Sequence, residues 1–214
     1  MPGVEHPAFM RMTYTMKAPA RQRLSTEERQ DEIVKAAVDL AVTQGMDNVT
    51  TQGIADVVGI TQGAIFRHFP TKETIWIAVV HWVRARLLSA IDRAASQASD
   101  PVDALRRIFF AHIAFAEKNP ALPRLLLTTN PQLKRLLQEF LDGYETKLAG
   151  LLADAKALGL TRSDLDEEAA ASLFIGIIQG LVIRFLALGP RRPLSDEAKR
   201  LFPIFLAGIG ASEP

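Results

Sequence analysis

The residues whose types and spacing could do chemistry are concentrated between Thr50 and Phe69, in the run TTQGIADVVGITQGAIFRHF. The chemistry they suit is recognition of a nucleic-acid duplex. Thr50 opens a short helix whose inward face is Ile54 and Ala55, Gly59 makes a tight turn, and Thr61 caps a second short helix. Ile60 points into the hub, and Ile65 and Phe69 continue its core face. Such a helix-turn-helix lays its second helix in the major groove, with the N-terminal residues at base edges. That position demands small or polar side chains, and Thr61, Gln62, Gly63 and Ala64 comply. Gln62 can pair with adenine through both ends of its amide, or offer one donor to guanine. Thr50 and Thr51 stand at a helix N-terminus, where free N–H groups and the helix dipole favour phosphate. Arg67, His68 and Lys72 supply donors beside the same surface. Each residue also has a plain structural role open to it. Thr50 and Thr61 are N-caps, Arg67 and Lys72 could be a solvated charged face, and His68 could close the hub as a core histidine. The ordered set, not any member, carries the reading.

Bond-making chemistry is poorly provided for. The chain has no cysteine, which removes disulfides, thiolate nucleophiles and Cys-ligated metals, and fits a reducing cytoplasm. The 4 histidines, His6, His68, His81 and His112, form no His-x-x-x-His pair. There is no glycine-rich phosphate loop and no serine elbow. No catalytic residue, metal or cofactor is expected. Over 214 residues, 25 basic against 24 acidic side chains give a net charge of +1, so attraction to phosphate must be local.

The elements that must position the motif read as helix after helix, which predicts an all-α protein. Residues 1–24 lack apolar periodicity and are basic through Arg11, Lys17, Arg21 and Arg23; they read as a flexible arm, either a solvated leader or a phosphate contact. They contain no apolar run of a secretory signal. Ser25 caps a first helix ending at Gly45. Thr71 caps a long fourth helix over 72–98 with the stripe Ile75, Val79, Val83, Leu87 and Ile91. Asp100-Pro101, Asn130-Pro131 and Asp166 start later helices, and Ser195 is expected to cap the last. A short segment lies between Asn119-Pro120 and Asn130-Pro131. The most apolar run, Leu173 to Leu188, contains Gln179 and Arg184 and is shorter than a bilayer span of ~20 residues, so no membrane partner is expected.

The stretch from Thr26 to Ile75 resembles the DNA-binding domain of the TetR family (TetR/AcrR type) of bacterial transcriptional regulators. Gly59-Ile60-Thr61-Gln62-Gly63-Ala64-Ile65-Phe66, then His68-Phe69 and Lys72-Glu73, carry the resemblance in order and spacing. It implies about nine helices and a homodimer: a three-helix DNA-binding domain at 25–71 and an effector-binding and dimerisation domain at 72–214. It places Thr51, Gln52, Gln62, Gly63, Phe66, Arg67, His68 and Lys72 toward DNA. Phe66 stands where family members often carry Tyr, which removes a hydroxyl contact to phosphate. Gly53 inside the second helix costs ~1 kcal/mol relative to Ala.

The function expected from these features is a cytoplasmic repressor that binds a palindromic operator as a homodimer and is released by a small, largely apolar effector. The alternative is an architectural or protein-partnered DNA-binding factor without an effector, which a fully packed 75–188 region would favour. Residues 167–188 are apolar on nearly every face and must be covered on both sides. Phe174, Ile177, Ile178, Leu181 and Phe185, with Leu201 and Phe205 of the last helix, are therefore expected to meet their copies across a two-fold axis; the alternative is a monomer core that wraps this helix completely. Gly176 and Gly180 would allow close approach. Trp82, Phe110, His112, Phe115, Arg124, Tyr144 and Phe174 are candidate pocket residues. His112 could equally be a satisfied core histidine, the aromatics simply core, and Arg124 either a partner for an acidic ligand or solvent-facing.

Overall fold

A computed structural model describes residues 24–120, 122–189 and 192–211; the arm expected at 1–24 lies almost wholly outside the described residues. These form eight α-helices and two 3₁₀ turns, with no strand among the described residues. The helices are α1 (Thr26–Gln44), α2 (Thr51–Val58), α3 (Gln62–His68), α4 (Lys72–Ala95), α5 (Pro101–Lys118), α6 (Pro131–Ala157), α7 (Glu167–Leu188) and α8 (Leu194–Ile209). The fold is all-α as expected, with a 3₁₀ turn over Leu122–Leu127 occupying the short segment between Asn119 and Asn130.

Local chemistry accounts for most of the boundaries. The hydroxyl of Ser25 accepts from the Glu28 N–H while the Glu28 carboxylate accepts from the Ser25 N–H at 2.7 Å, a reciprocal cap. Thr50, Thr61, Thr71, Asp100, Asn130 and Asp166 cap α2 to α7 through side-chain oxygens. Gly59 takes the left-handed conformation, φ 72°, that turns α2 into α3. Two expectations differ. Helix α4 ends at Ala95 rather than 98. Helix α8 starts at Leu194, one residue before its expected cap, and the Ser195 N–H donates instead to Glu117 Oε1 of α5 at 3.0 Å. A carboxylate from a distant helix thus meets the positive end of α8.

The core has two centres. One is built by α1, α2, α3 and the first half of α4 around Ile33, Ala37, Ile54, Ile65 and Val79; it also draws Leu122, Leu125, Leu133 and Leu137 from beyond the 71/72 boundary. The other gathers Leu105, Phe109, Tyr144, Leu148, Phe174, Phe202 and Phe205 from α5 to α8. By length and composition α4 and α7 could each cross a membrane; α7 begins earlier than its apolar run suggests, at Glu167. In the bundle α4 packs against α5 and α1, and α7 against α6, α8 and α5. The buried carboxylate of Asp103, 3% exposed, accepts from the Ser99 N–H, from Arg106 and from Arg107 Nε at 2.7 Å. The Arg107 guanidinium is the main reason its pKa falls to about 2.

Candidate DNA-reading face and apolar cavity

Thr50, Gln52, Thr61, Gln62, Gly63, Phe66 and Arg67 are exposed, and Thr51 and Lys72 half-buried, along α3 and around the N-terminal ends of α2 and α4. The structure brings these residues together because Ile54, Ala55, Val58, Ile65 and Phe69 anchor the opposite faces of α2 and α3 in the core. Gln62 Nε2 donates to Thr51 Oγ1 at 2.7 Å, tying the start of α3 to the start of α2. That bond uses one amide hydrogen. The other hydrogen and Oε1 stay available, which is the donor–acceptor pair that adenine requires. Gln52 Nε2 donates one hydrogen to Asp56 Oδ1 at 2.7 Å, which leaves its second amide hydrogen to reach phosphate. A β-carbon on Gly63 would meet nothing, leaving the first turn of α3 open to a groove wall.

His68 is only half-buried, and its Nδ1 is buried without a partner, so that edge of the ring closes the hub rather than facing phosphate. Its carbonyl accepts from Gln30 Nε2 at 3.4 Å, a link to α1 that no motif in the chain advertises. Lys72 opens α4 beside Glu73, whose own backbone N–H and the Thr71 hydroxyl hold its carboxyl below the usual range. A carboxylate therefore already sits at that helix start, and Lys72 is the group there suited to phosphate.

The second feature is a cavity of about 80 Å³ among α4, α5, the 122–127 turn, α6 and α7. Its lining is apolar, including Val83, Leu87, Phe115, Leu137, Phe140 and Val182, with His112, Asn119 and Gln179 as polar members. Of the seven pocket residues expected from sequence only His112 and Phe115 line it. The other five lie elsewhere. Phe110 and Phe174 belong to the aromatic core, packed on Phe109 at 5.5 and 5.3 Å. Trp82 packs against the DNA-side core with Arg86 5.1 Å from its ring. Tyr144 stands behind the wall, its hydroxyl 3.3 Å from His112 Nδ1. Arg124 is turned the other way, its Nη1 3.4 Å from where a β-carbon on Gly45 would sit, in a cleft of about 660 Å³. Burial alone pushes the His112 pKa down to about 4 and the Tyr144 hydroxyl up, so His112 is neutral at physiological pH.

The residues expected at an interface divide by burial. Phe174, Ile178 and Phe205 are at most 2% exposed and pack in the protomer's own core. Ile177, Phe185 and Leu201 are partly exposed, and Leu181 lines a groove between α7 and α8 with Phe185, Leu201 and Ile204. Leu173 and Ile204 are 54% and 67% exposed. A β-carbon added at Gly176 or Gly180 would meet nothing within 4 Å.

With this geometry in hand, comparison with known proteins is decisive. Residues 33–79 match the family described as bacterial regulatory proteins of the tetR family. The nucleoid occlusion factor SlmA of Haemophilus ducreyi is 30% identical over 191 residues, 85% of this chain and 94% of that protein. The chain belongs to the TetR family. It is therefore a DNA-binding regulator, and residues 126–210 match the C-terminal part of BetI-type transcriptional repressors. SlmA of Vibrio cholerae serotype O1 is 28% identical over 164 residues, covering 74% of this chain and 84% of that protein. Among solved structures, the fatty acid degradation regulator FadR of Bacillus halodurans superposes with a TM-score of 0.77 at 23% identity, covering 86% of this chain and 97% of that one. FadR of Bacillus subtilis in complex with stearoyl-CoA gives 0.75 at 21% identity, covering 84% and 98%. At these identities the two structures speak for the shared fold.

Proposed function

We propose that this TetR-family member is a repressor that reads a palindromic operator as a homodimer through α3 and releases it when a small, largely apolar effector occupies the cavity. Residues 25–71 form the DNA-reading unit in this scheme, and residues 72–214 the effector and dimer unit. The observation that carries the reading is the sharing of wall residues. Leu122, Leu125 and Leu137 line the cavity and pack in the core under α1 to α3. Helix α4 presents Val83 and Leu87 to the cavity and Ile75, Trp76 and Val79 to the DNA-side core. A ligand that pushes these side chains favours one placement of the recognition helices over another, which is the differential affinity that a population shift requires. The protein-partnered alternative keeps a claim, since the relatives at 27–30% identity are named nucleoid occlusion factors. The cavity argues for the effector.

Fluorescence anisotropy with DNA from upstream of the chain's own gene, beside scrambled DNA across a salt series, tests the DNA half. Gln62→Ala should cost about 10- to 100-fold in operator affinity and little on scrambled DNA, because a base contact is lost. Lys72→Ala should weaken both DNAs alike and reduce the salt slope by about one. Equal effects of both variants on both DNAs would refute this assignment of roles. The dimer half rests on the exposed apolar residues of α7 and α8. Ile204→Glu should leave the melting temperature of the protomer nearly unchanged, since this side chain is 67% exposed, yet shift the protein to monomer in sedimentation and abolish tight operator binding. A variant that stays dimeric would place the interface elsewhere.

A further inference from the structure

The charge of the effector can be read from what the cavity lacks. Among the described residues lining it there is no Lys, Arg, Asp or Glu. His112 is held neutral by burial, and one Asn119 amide hydrogen is given to the Phe115 carbonyl at 2.8 Å. The polar groups of the wall are therefore His112 Nε2 and the rest of the Asn119 amide on the α5 side and the Gln179 amide on α7, all of them neutral. Arg124, the cation nearest in sequence to the wall residues Pro123 and Leu125, points into the cleft beside Gly45 instead.

The approach from solvent has the same bias. A groove between α6 and α7 shares Leu137, Leu141, Ile175 and Gln179 with the cavity, so these four side chains are the partition between the two. Gly176 lies in the groove and leaves it open, since a β-carbon there would touch nothing. Asp142 and Glu145 flank it, with Lys134 at the α6 N-terminal end and Ser172 donating to Glu145. Beyond them the surface continues past Asp166 and Glu168.

We infer that the effector is a compact apolar molecule with one neutral hydrogen-bonding group, placed between His112 and Gln179, and no negative charge. This rests on the effector reading above and names the ligand class for that cavity. A carboxylate or phosphate that left water here would find no cation to replace its hydration, and would first pass a rim of net negative charge. The cavity, at about 80 Å³, is also smaller than the ~150 Å³ pocket that holds benzene in an engineered protein. The acyl-CoA of the Bacillus subtilis FadR complex, with its long chain and phosphates, is the kind of ligand this site excludes.

Calorimetric titration of the protein, residues 1–214, with butan-1-ol to octan-1-ol, the matched carboxylates and hexanoyl-CoA tests this at pH 7.5. The expected result is an alcohol that binds at least 10-fold tighter than its carboxylate, with no heat from the thioester. Asp142→Asn combined with Glu145→Gln alters only side chains at the groove rim, and should raise carboxylate affinity several-fold while leaving the alcohol unchanged. A carboxylate or thioester that binds wild-type protein as tightly as the alcohol would overturn the inference and leave the effector reading standing. No binding by any member would overturn both.

Discussion

Replacing Phe109 by Ala should cost about 3–5 kcal/mol of stability. Phe109 is fully buried on α5, with ring centroids 5.3 Å from Phe174 of α7 and 4.9 Å from Phe202 of α8. One side chain therefore ties three helices, and each ring pair adds about 0.5–1.5 kcal/mol beyond burial. In a chain of this size 1 kcal/mol moves the melting temperature by about 2–4 °C, so a fall of roughly 10–15 °C is expected. Urea unfolding at fixed protein concentration measures it. A loss below 1 kcal/mol would mean that α7 and α8 collapse into the space, and that Phe109 is not the keystone described here. Operator affinity well below the melting range should change little, since Phe109 touches neither the cavity nor the recognition helix.

The second large effect is acid destabilisation through His112. Its pKa is about 4 in the folded chain against 6.5 as the ordinary value, because burial penalises the imidazolium. The unfolded chain therefore binds a proton that the folded chain refuses. The folded-state pKa is depressed, so the contribution is complete above pH 6.5 and is lost as pH falls toward 4. The loss is on the order of 3 kcal/mol over that window, with about 2 kcal/mol gone by pH 5. His112→Phe with Tyr144→Phe removes the titrating ring without orphaning the Tyr144 hydroxyl. That double variant should show a flatter stability profile between pH 6.5 and 4 by the same amount. An unchanged profile would show that His112 is not the group responsible. Asp103 acts in a lower window: its pKa of about 2 lies below the ordinary 3.8, so its contribution is lost only as pH falls below that value.

The helix order and the recognition motif were legible in the sequence because their causes are local. A cap lies three residues from the N–H it satisfies, as in Thr50 with Gly53 and Thr61 with Ala64, and a left-handed turn at Gly59 needs only glycine. The surface of α3 follows, since Ile65 and Phe69 fix the inward face and leave Gln62, Gly63 and Phe66 outside. What escaped is non-local. The α8 start is met by Glu117, 78 residues away from Ser195 in the chain. A helix as uniformly apolar as α7 carries no pattern to say which faces meet its own bundle, and only the packed structure places Phe174 and Ile178 in the protomer's core beside Phe109 and Phe205. The cavity is set by where α4, α5, α6 and α7 leave a gap, which depends on summed side-chain volumes and not on any motif. Arg124 alternates with Pro123 and Leu125 on one turn, and only the packed structure decides that it faces Gly45 while its neighbours face the cavity. By itself, then, the sequence determined the helices, the caps of α1 to α7 and the outward face of α3. The tertiary structure decided which apolar faces remain free, where the bundle stays hollow and that the hollow holds no charge.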